Sequence, residues 1–133
     1  MVPSDALAVP DRPPAWGPVT QRSRIISSKE DYRAWCQADL KGAGLTRWHF
    51  GLAIRYPTLH FLRVLRRVEY FQNCRHDPIR RVAHLITATY FRFLSVYLSF
   101  TIPPNTCGPG LRLNHGGTIV ISPEARIGAG ARI

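Results

Sequence analysis

Three kinds of side chain in this sequence could carry chemistry: imidazole, thiol and guanidinium. Imidazole exchanges a proton near pH 7, so His49, His60, His76, His84 and His115 are each candidate acids or bases. His115 has a distinct setting, Leu113-Asn114-His115-Gly116-Gly117, although a single histidine in a turn is by itself a surface residue with no role. Cys36, Cys74 and Cys107 form an odd set without close pairing, which supports neither a zinc site nor a disulfide framework. They are expected to be reduced thiols in a cytoplasmic protein that holds no metal. Arginine dominates the charge: 18 Lys and Arg, all but two of them Arg, face 8 acids for a formal net charge of +10. That excess suits a polyanion, an acidic membrane surface or a phosphorylated cofactor, and cannot by itself choose among them. Arg63, Arg66, Arg67, Arg75, Arg80 and Arg81 could track phosphates. A solvated helix face is favoured over that reading: Tyr70 and Phe71 fall where helix packing wants them, and no nucleic-acid motif accompanies the charge.

Around these residues the chain divides into three parts. Residues 1–27 are interrupted by Pro3, Pro10, Pro13, Pro14 and Pro18, which excludes a signal peptide and predicts a disordered tail. Residues 28–102 read as helical. Ser27 precedes Glu30 by the three places of a capping box, ahead of Tyr32, Trp35 and Cys36 at helical intervals, and this first helix stops near Gly42 and Gly44. A second runs from Thr58 to before Asp77-Pro78, with Leu59, Leu62, Leu65, Val68 or Glu69, and Phe71 or Gln72 on its apolar stripe and Arg63, Arg66 and Arg67 largely on another. Pro78 suits the first turn of a third helix. Val82, Leu85, Ile86, Thr89, Phe93, Val96 and Tyr97 give that helix a broad apolar side, ending at Pro103-Pro104. Its segment 82–102 is about long enough to span a bilayer, but Arg92 at the middle would cost at least about 2.5–3.5 kcal/mol there, so a buried helix is expected instead.

Residues 103–133 follow a different period. Ile121, Ile127 and Ile133 recur every six positions, as do Ile119, Ala125 and Ala131. A helix returns every 3.6 residues and a flat strand every 2, so six indicates a coil of short strands.

These features together carry a resemblance. A helical region followed by "IPPNTCGPGLRLNHGGTIVISPEARIGAGARI" is similar to the serine acetyltransferase branch of the hexapeptide-repeat acyltransferases, with their capsule and exopolysaccharide relatives. The similarity runs from about Ser28 to Ile133 and is most specific from Gly108-Pro109-Gly110 through His115-Gly116-Gly117 to Ile119-Val120-Ile121. It implies an α+β fold: an N-terminal helical region, then the start, about one coil, of a left-handed parallel β-helix. It also implies acetyl transfer from acetyl-CoA to a hydroxyl, without a covalent intermediate or a metal, in a homotrimer or dimer of trimers. His115 matches the catalytic base, and Asn114, Gly116 and Gly117 the substrate-binding turn. A general base of this kind typically contributes 10²–10⁴-fold. The other four histidines lack the motif and keep a structural reading.

Two departures bear on the acceptor. Where serine acetyltransferases carry an Asp directly before the histidine, this chain has Asn114, and a second Asp, fifteen residues before it, aligns with Phe100. The carboxylate that would meet a serine ammonium is gone, and so is the group that orients the imidazole. A saccharide hydroxyl is therefore slightly preferred over serine. The repeat from Leu111 amounts to little more than one coil of about 18 residues, where repeat folds need about three repeats. Relatives place their acetyl-CoA groove in later coils, so the sequence reads as an inactive N-terminal fragment of a longer enzyme. Two other classes stay open: a non-enzymatic trimer-assembly module, and a basic binder of nucleic acid or a membrane surface.

Overall fold

The computed structural model describes residues 25–74 and 76–133. The expected disorder of the tail lies outside the described residues up to position 24. Its end is packed: Ile26 is fully buried and its carbonyl accepts a hydrogen bond from the Asn73 side chain.

The chain is mostly helical, with a small two-stranded parallel sheet. Helix α1 spans Lys29–Gly42 and is capped one residue later than the spacing suggested. Ser28 Oγ accepts from the Asp31 amide at 3.1 Å, while the Asp31 carboxylate accepts from the Ser27 amide and hydroxyl. Asp31, not Glu30, completes the reciprocal cap, and these bonds hold its carboxyl below the usual range although its partial burial acts to raise it. A short helix not foreseen from the sequence, α2 (Gly51–Arg55), precedes α3 (Pro57–Asn73). Proline opens both α3 and α4 (Pro78–Leu98), its fixed φ and missing N–H costing nothing in a first turn.

Helix α4 differs from expectation in two ways. It ends at Leu98, where Ser99 takes a left-handed conformation (φ 60°) and turns the chain into strand β1, Phe100–Thr101, well before the prolines. The face it buries is also the narrow one. Phe91 and Leu94 meet the core, with the Phe91 ring stacked on Phe61 of α3 at 5.2 Å, while Val82, Leu85, Ile86, Phe93, Val96 and Tyr97 face outward. One helix can present a single direction to α3, and the close-packing Phe61–Phe91 pair takes it. Among the described residues, no helix is long and apolar enough to cross a membrane.

After α4 the chain makes two passes that run parallel. Strand β1 pairs with β2 (Ile119–Val120), Phe100 opposite Ile119, and isolated parallel bridges join Cys107 to Ile127 and Arg112 to Arg132. Each pairing returns after about twenty residues, so the chain revisits the same three places in the same order. Continuous backbone bonds accompany them, including Ile121 N to Thr101 O at 2.8 Å, Ile127 N to Thr106 O at 2.8 Å and Asn114 N to Ile133 O at 2.7 Å. The six-residue pattern is thus the second pass; the first begins at Phe100, inside the stretch read as helix. Phe100, Ile102, Cys107, Leu111 and Leu113 of the first pass are buried, as is Ile121 of the second, in one cluster with Phe61, Leu62, Leu65 and Val68 of α3. Ile119, Ala125, Ile127 and Ala131 pack against it, so two turns of the six-residue pattern face the core.

Gly108 sets the spacing of the two passes. A Cβ there would lie 2.8 Å from the Ala129 backbone nitrogen, closer than real contacts allow, and backbone cannot swing aside as a side chain can. Gly108→Ala is therefore expected to lower stability by about 1–3 kcal/mol, the range for forced overpacking, in urea denaturation followed by circular dichroism. An unchanged midpoint would mean that the passes separate freely.

Candidate functional site

The segment leading to His115 is anchored by a buried ion cluster that the charge pattern did not reveal. Arg66, expected on a solvated face of α3, is fully buried, as are Asp39 of α1 and Glu69 of α3. All five guanidinium hydrogens find acceptors. Nε and Nη2 donate to the two Asp39 oxygens at 2.8 and 3.3 Å, Nη1 to Glu69 at 3.0 Å and Cys107 O at 2.8 Å, and Nη2 to Gly108 O at 2.7 Å. The carboxylates extend the contact to the first pass: Asp39 accepts from the Leu111 amide at 3.0 Å and Glu69 from the Asn105 amide at 2.9 Å. The guanidinium also lies over the Trp35 ring, 4.9 Å from its centre. Burial alone would lower the pKa of Arg66, but Asp39 and then Glu69 outweigh it and hold the group charged. Burial pushes the Glu69 carboxyl upward against the pull of Arg66. Residues 105–111 are thereby fastened to α1 and α3, and the chain then proceeds through Arg112 and Leu113 to the histidine.

Asn114, His115, Gly116 and Gly117 form an exposed loop between two tied points. On one side the Asn114 amide bonds Ile133 O at 2.7 Å; on the other the Ile119 amide bonds Ser99 O at 3.1 Å. Gly117 adopts φ 143°, which a side chain would strain. Asn114 borders a cavity of about 190 Å³, lined also by Arg112, Tyr56, Thr58, Leu59 and Leu113. The loop thus leaves His115 exposed to solvent, one residue along the chain from a small, partly polar recess between the helices and the first pass. Phe100, where the resemblance would set a second acid, is 1 % exposed and meets Phe61 edge to face. It is a core residue. The described residues show no hydrogen bond or ion pair to the His115 ring.

The remaining candidates are dispersed. His60 is half-buried, stacks on Trp48 and shares a 2.9 Å hydrogen bond with the Tyr90 hydroxyl. Burial first, then Arg67 and Arg63, push its pKa down. His49 and His76 are exposed, and His84 is half-buried on α4. Among the described residues no group of His, Cys, Asp and Glu could hold a metal. The three cysteines are free, and burial raises the pKa of each thiol, which opposes a nucleophilic role. The arginines do not make one phosphate-tracking face: Arg66 is buried, Arg63 covers Trp48 at 4.5 Å, and Arg80 bonds Cys74 O. Arg75 lies outside the described residues.

The described chain is therefore a mostly helical protein with a small parallel sheet, carrying an exposed glycine-bounded histidine one residue along the chain from a recess. Compared with protein-family models, with curated proteins and with solved structures, it finds no match in any of the three.

Proposed function

We propose that this chain belongs to an acetyl-CoA-dependent O-acetyltransferase in which His115 is the general base and a sugar hydroxyl, in preference to L-serine, is the acceptor. The two parallel passes are read as the first coils of a left-handed β-helix, and assembly as a homotrimer follows from the same resemblance. The observation that carries the proposal is the loop itself: His115 stands exposed between tied ends, and its neighbour Asn114 borders the recess. In this reading an acceptor seated in the recess would meet Asn114 and present its hydroxyl toward the neighbouring His115. His115 would take the hydroxyl proton as the oxygen attacks the thioester carbonyl, and return it to the departing thiolate as the tetrahedral intermediate collapses. The turn glycines keep the approach open, since neither Gly116 nor Gly117 has any atom near where a Cβ would stand.

Acceptor preference rests on Asn114. An amide can donate to and accept from a sugar hydroxyl, but it offers no charge to a serine ammonium. With acetyl-CoA as donor, a thiol-release assay on the longest natural form of the protein should show faster transfer to saccharide acceptors than to L-serine. Asn114→Asp should move the ratio toward serine by about tenfold, the scale of one exposed charge-assisted hydrogen bond. Efficient serine acetylation by the unaltered protein would sink the sugar reading, and no transfer to any hydroxyl would sink the enzyme.

A further inference from the structure

The outward side of α4 has no part in the reading above. It runs the length of a 21-residue helix, about 30 Å. Ile79, Val82, Ile86, Phe93, Val96 and Tyr97 are between 58 and 82 % exposed on it. A continuous apolar strip of this length exceeds what a soluble surface ordinarily leaves uncovered. The opposite side is already committed to α3 through Phe91 and Leu94, so the helix cannot roll over to hide the strip.

Charge selects what covers it. Pro78–Leu98 contains Arg80, Arg81 and Arg92 and no Asp or Glu. Arg81 and Arg92 are exposed and eleven residues apart, which is three helical turns, so they line the same margin of the strip. Their stems can lie along apolar surface while the guanidinium heads reach outward. On the far margin Tyr97 offers a ring that is apolar in body and polar at its tip, a type favoured at membrane–water boundaries. A second copy meeting this face with its own α4 would set Arg81 and Arg92 against the same arginines, and the helix has no carboxylate to receive either. An anionic bilayer provides an apolar layer and, at its surface, the opposite charge.

We infer that the outward face of α4 docks on an anionic lipid bilayer, the helix lying in the membrane plane with its apolar strip at the headgroup–acyl boundary and Arg81 and Arg92 among the headgroup phosphates. This surface is independent of the acetyl-transfer reading and survives its failure. It does not span: the helix is not apolar enough to cross, and its inner side holds the protein body.

Co-sedimentation of the full chain with vesicles tests the inference. Partition onto phosphatidylcholine vesicles containing one third phosphatidylglycerol should exceed partition onto pure phosphatidylcholine at least about tenfold and weaken as salt rises. Phe93→Glu and Val96→Glu should each lower binding about tenfold or more. Both side chains are exposed, so the helical circular dichroism should be unchanged. Arg81→Gln combined with Arg92→Gln should remove most of the preference for the anionic vesicles while retaining the weak apolar binding. Equal partition onto both vesicles, or binding untouched by Phe93→Glu, overturns the inference. So does a wild-type chain that ignores vesicles but self-associates in lipid-free buffer through a contact broken by Phe93→Glu, which would assign the strip to a second copy. Binding to duplex DNA without binding to vesicles overturns it as well.

Discussion

Arg66→Ala is expected to destabilise the protein by about 3–5 kcal/mol, the usual cost of removing one partner from a buried ion pair. The substitution strands Asp39 and Glu69 in a site where they are 3 % and 0 % exposed. It also deprives the carbonyls of Cys107 and Gly108 of their donors and empties the space beneath Trp35. Against a total stability of roughly 5–15 kcal/mol for a domain, a loss of this size removes much of the folded margin. Arg66→Lys keeps the charge but not the five-donor fork, so it should fall between wild type and Arg66→Ala. Urea denaturation monitored by circular dichroism gives the difference directly. A shift below about 1 kcal/mol for Arg66→Ala would show that water reaches the cluster and that the first pass is held by apolar packing alone.

His115→Ala is expected to lower acetyl transfer at least about a hundredfold, the lower end for loss of a general base. Stability should stay within about 0.5 kcal/mol of wild type, because the side chain is exposed and makes no hydrogen bond among the described residues. This contrast separates a chemical role from a structural one: Arg66→Ala should reduce activity by unfolding the support, His115→Ala without unfolding anything. On the proposed mechanism the affinity for acetyl-CoA should change little, since the imidazole would act on the acceptor proton. The measurement is steady-state turnover on a natural form of the protein that consumes acetyl-CoA. Turnover within a few-fold of wild type would assign the proton to another group, and His60, hydrogen-bonded to Tyr90, would be the next imidazole to vary.

Several elements were legible in the sequence because their causes are local. Pro78 opens α4 through its own fixed φ, α3 begins one residue before the Thr58 read from the sequence, and the serine–acid spacing marked the start of α1 to within one residue. The period of six in Ile119 to Ile133 was visible because repeating geometry repeats side-chain type. The first pass was not, since Phe100, Ile102, Cys107, Leu111 and Leu113 reach their inward positions through turns at Pro104-Asn105 and Pro109-Gly110 that break the count. The setting of His115, between Asn114 and the Gly116-Gly117 pair, is likewise displayed directly by the chain.

What only the tertiary structure decided is where charge and apolar surface ended up. An arginine on a helix reads as solvated because burying a lone guanidinium is costly. Arg66 is buried because Asp39, 27 residues earlier, and the carbonyls of Cys107 and Gly108, 41 and 42 residues later, converge on it. No local pattern encodes that convergence. In the same way α4 carries apolar residues on more than one side, and hydrophobic periodicity cannot rank two apolar faces. The fit of Phe91 and Leu94 against α3 settled the choice and left the broader face outward. Residue types and their spacing marked α1, α3 and α4, though not α2, and marked which histidine stands before a glycine pair. Contacts between distant segments decided which arginine became structural and which apolar face remained to meet something else, because burial is a property of the assembled surface and not of the chain.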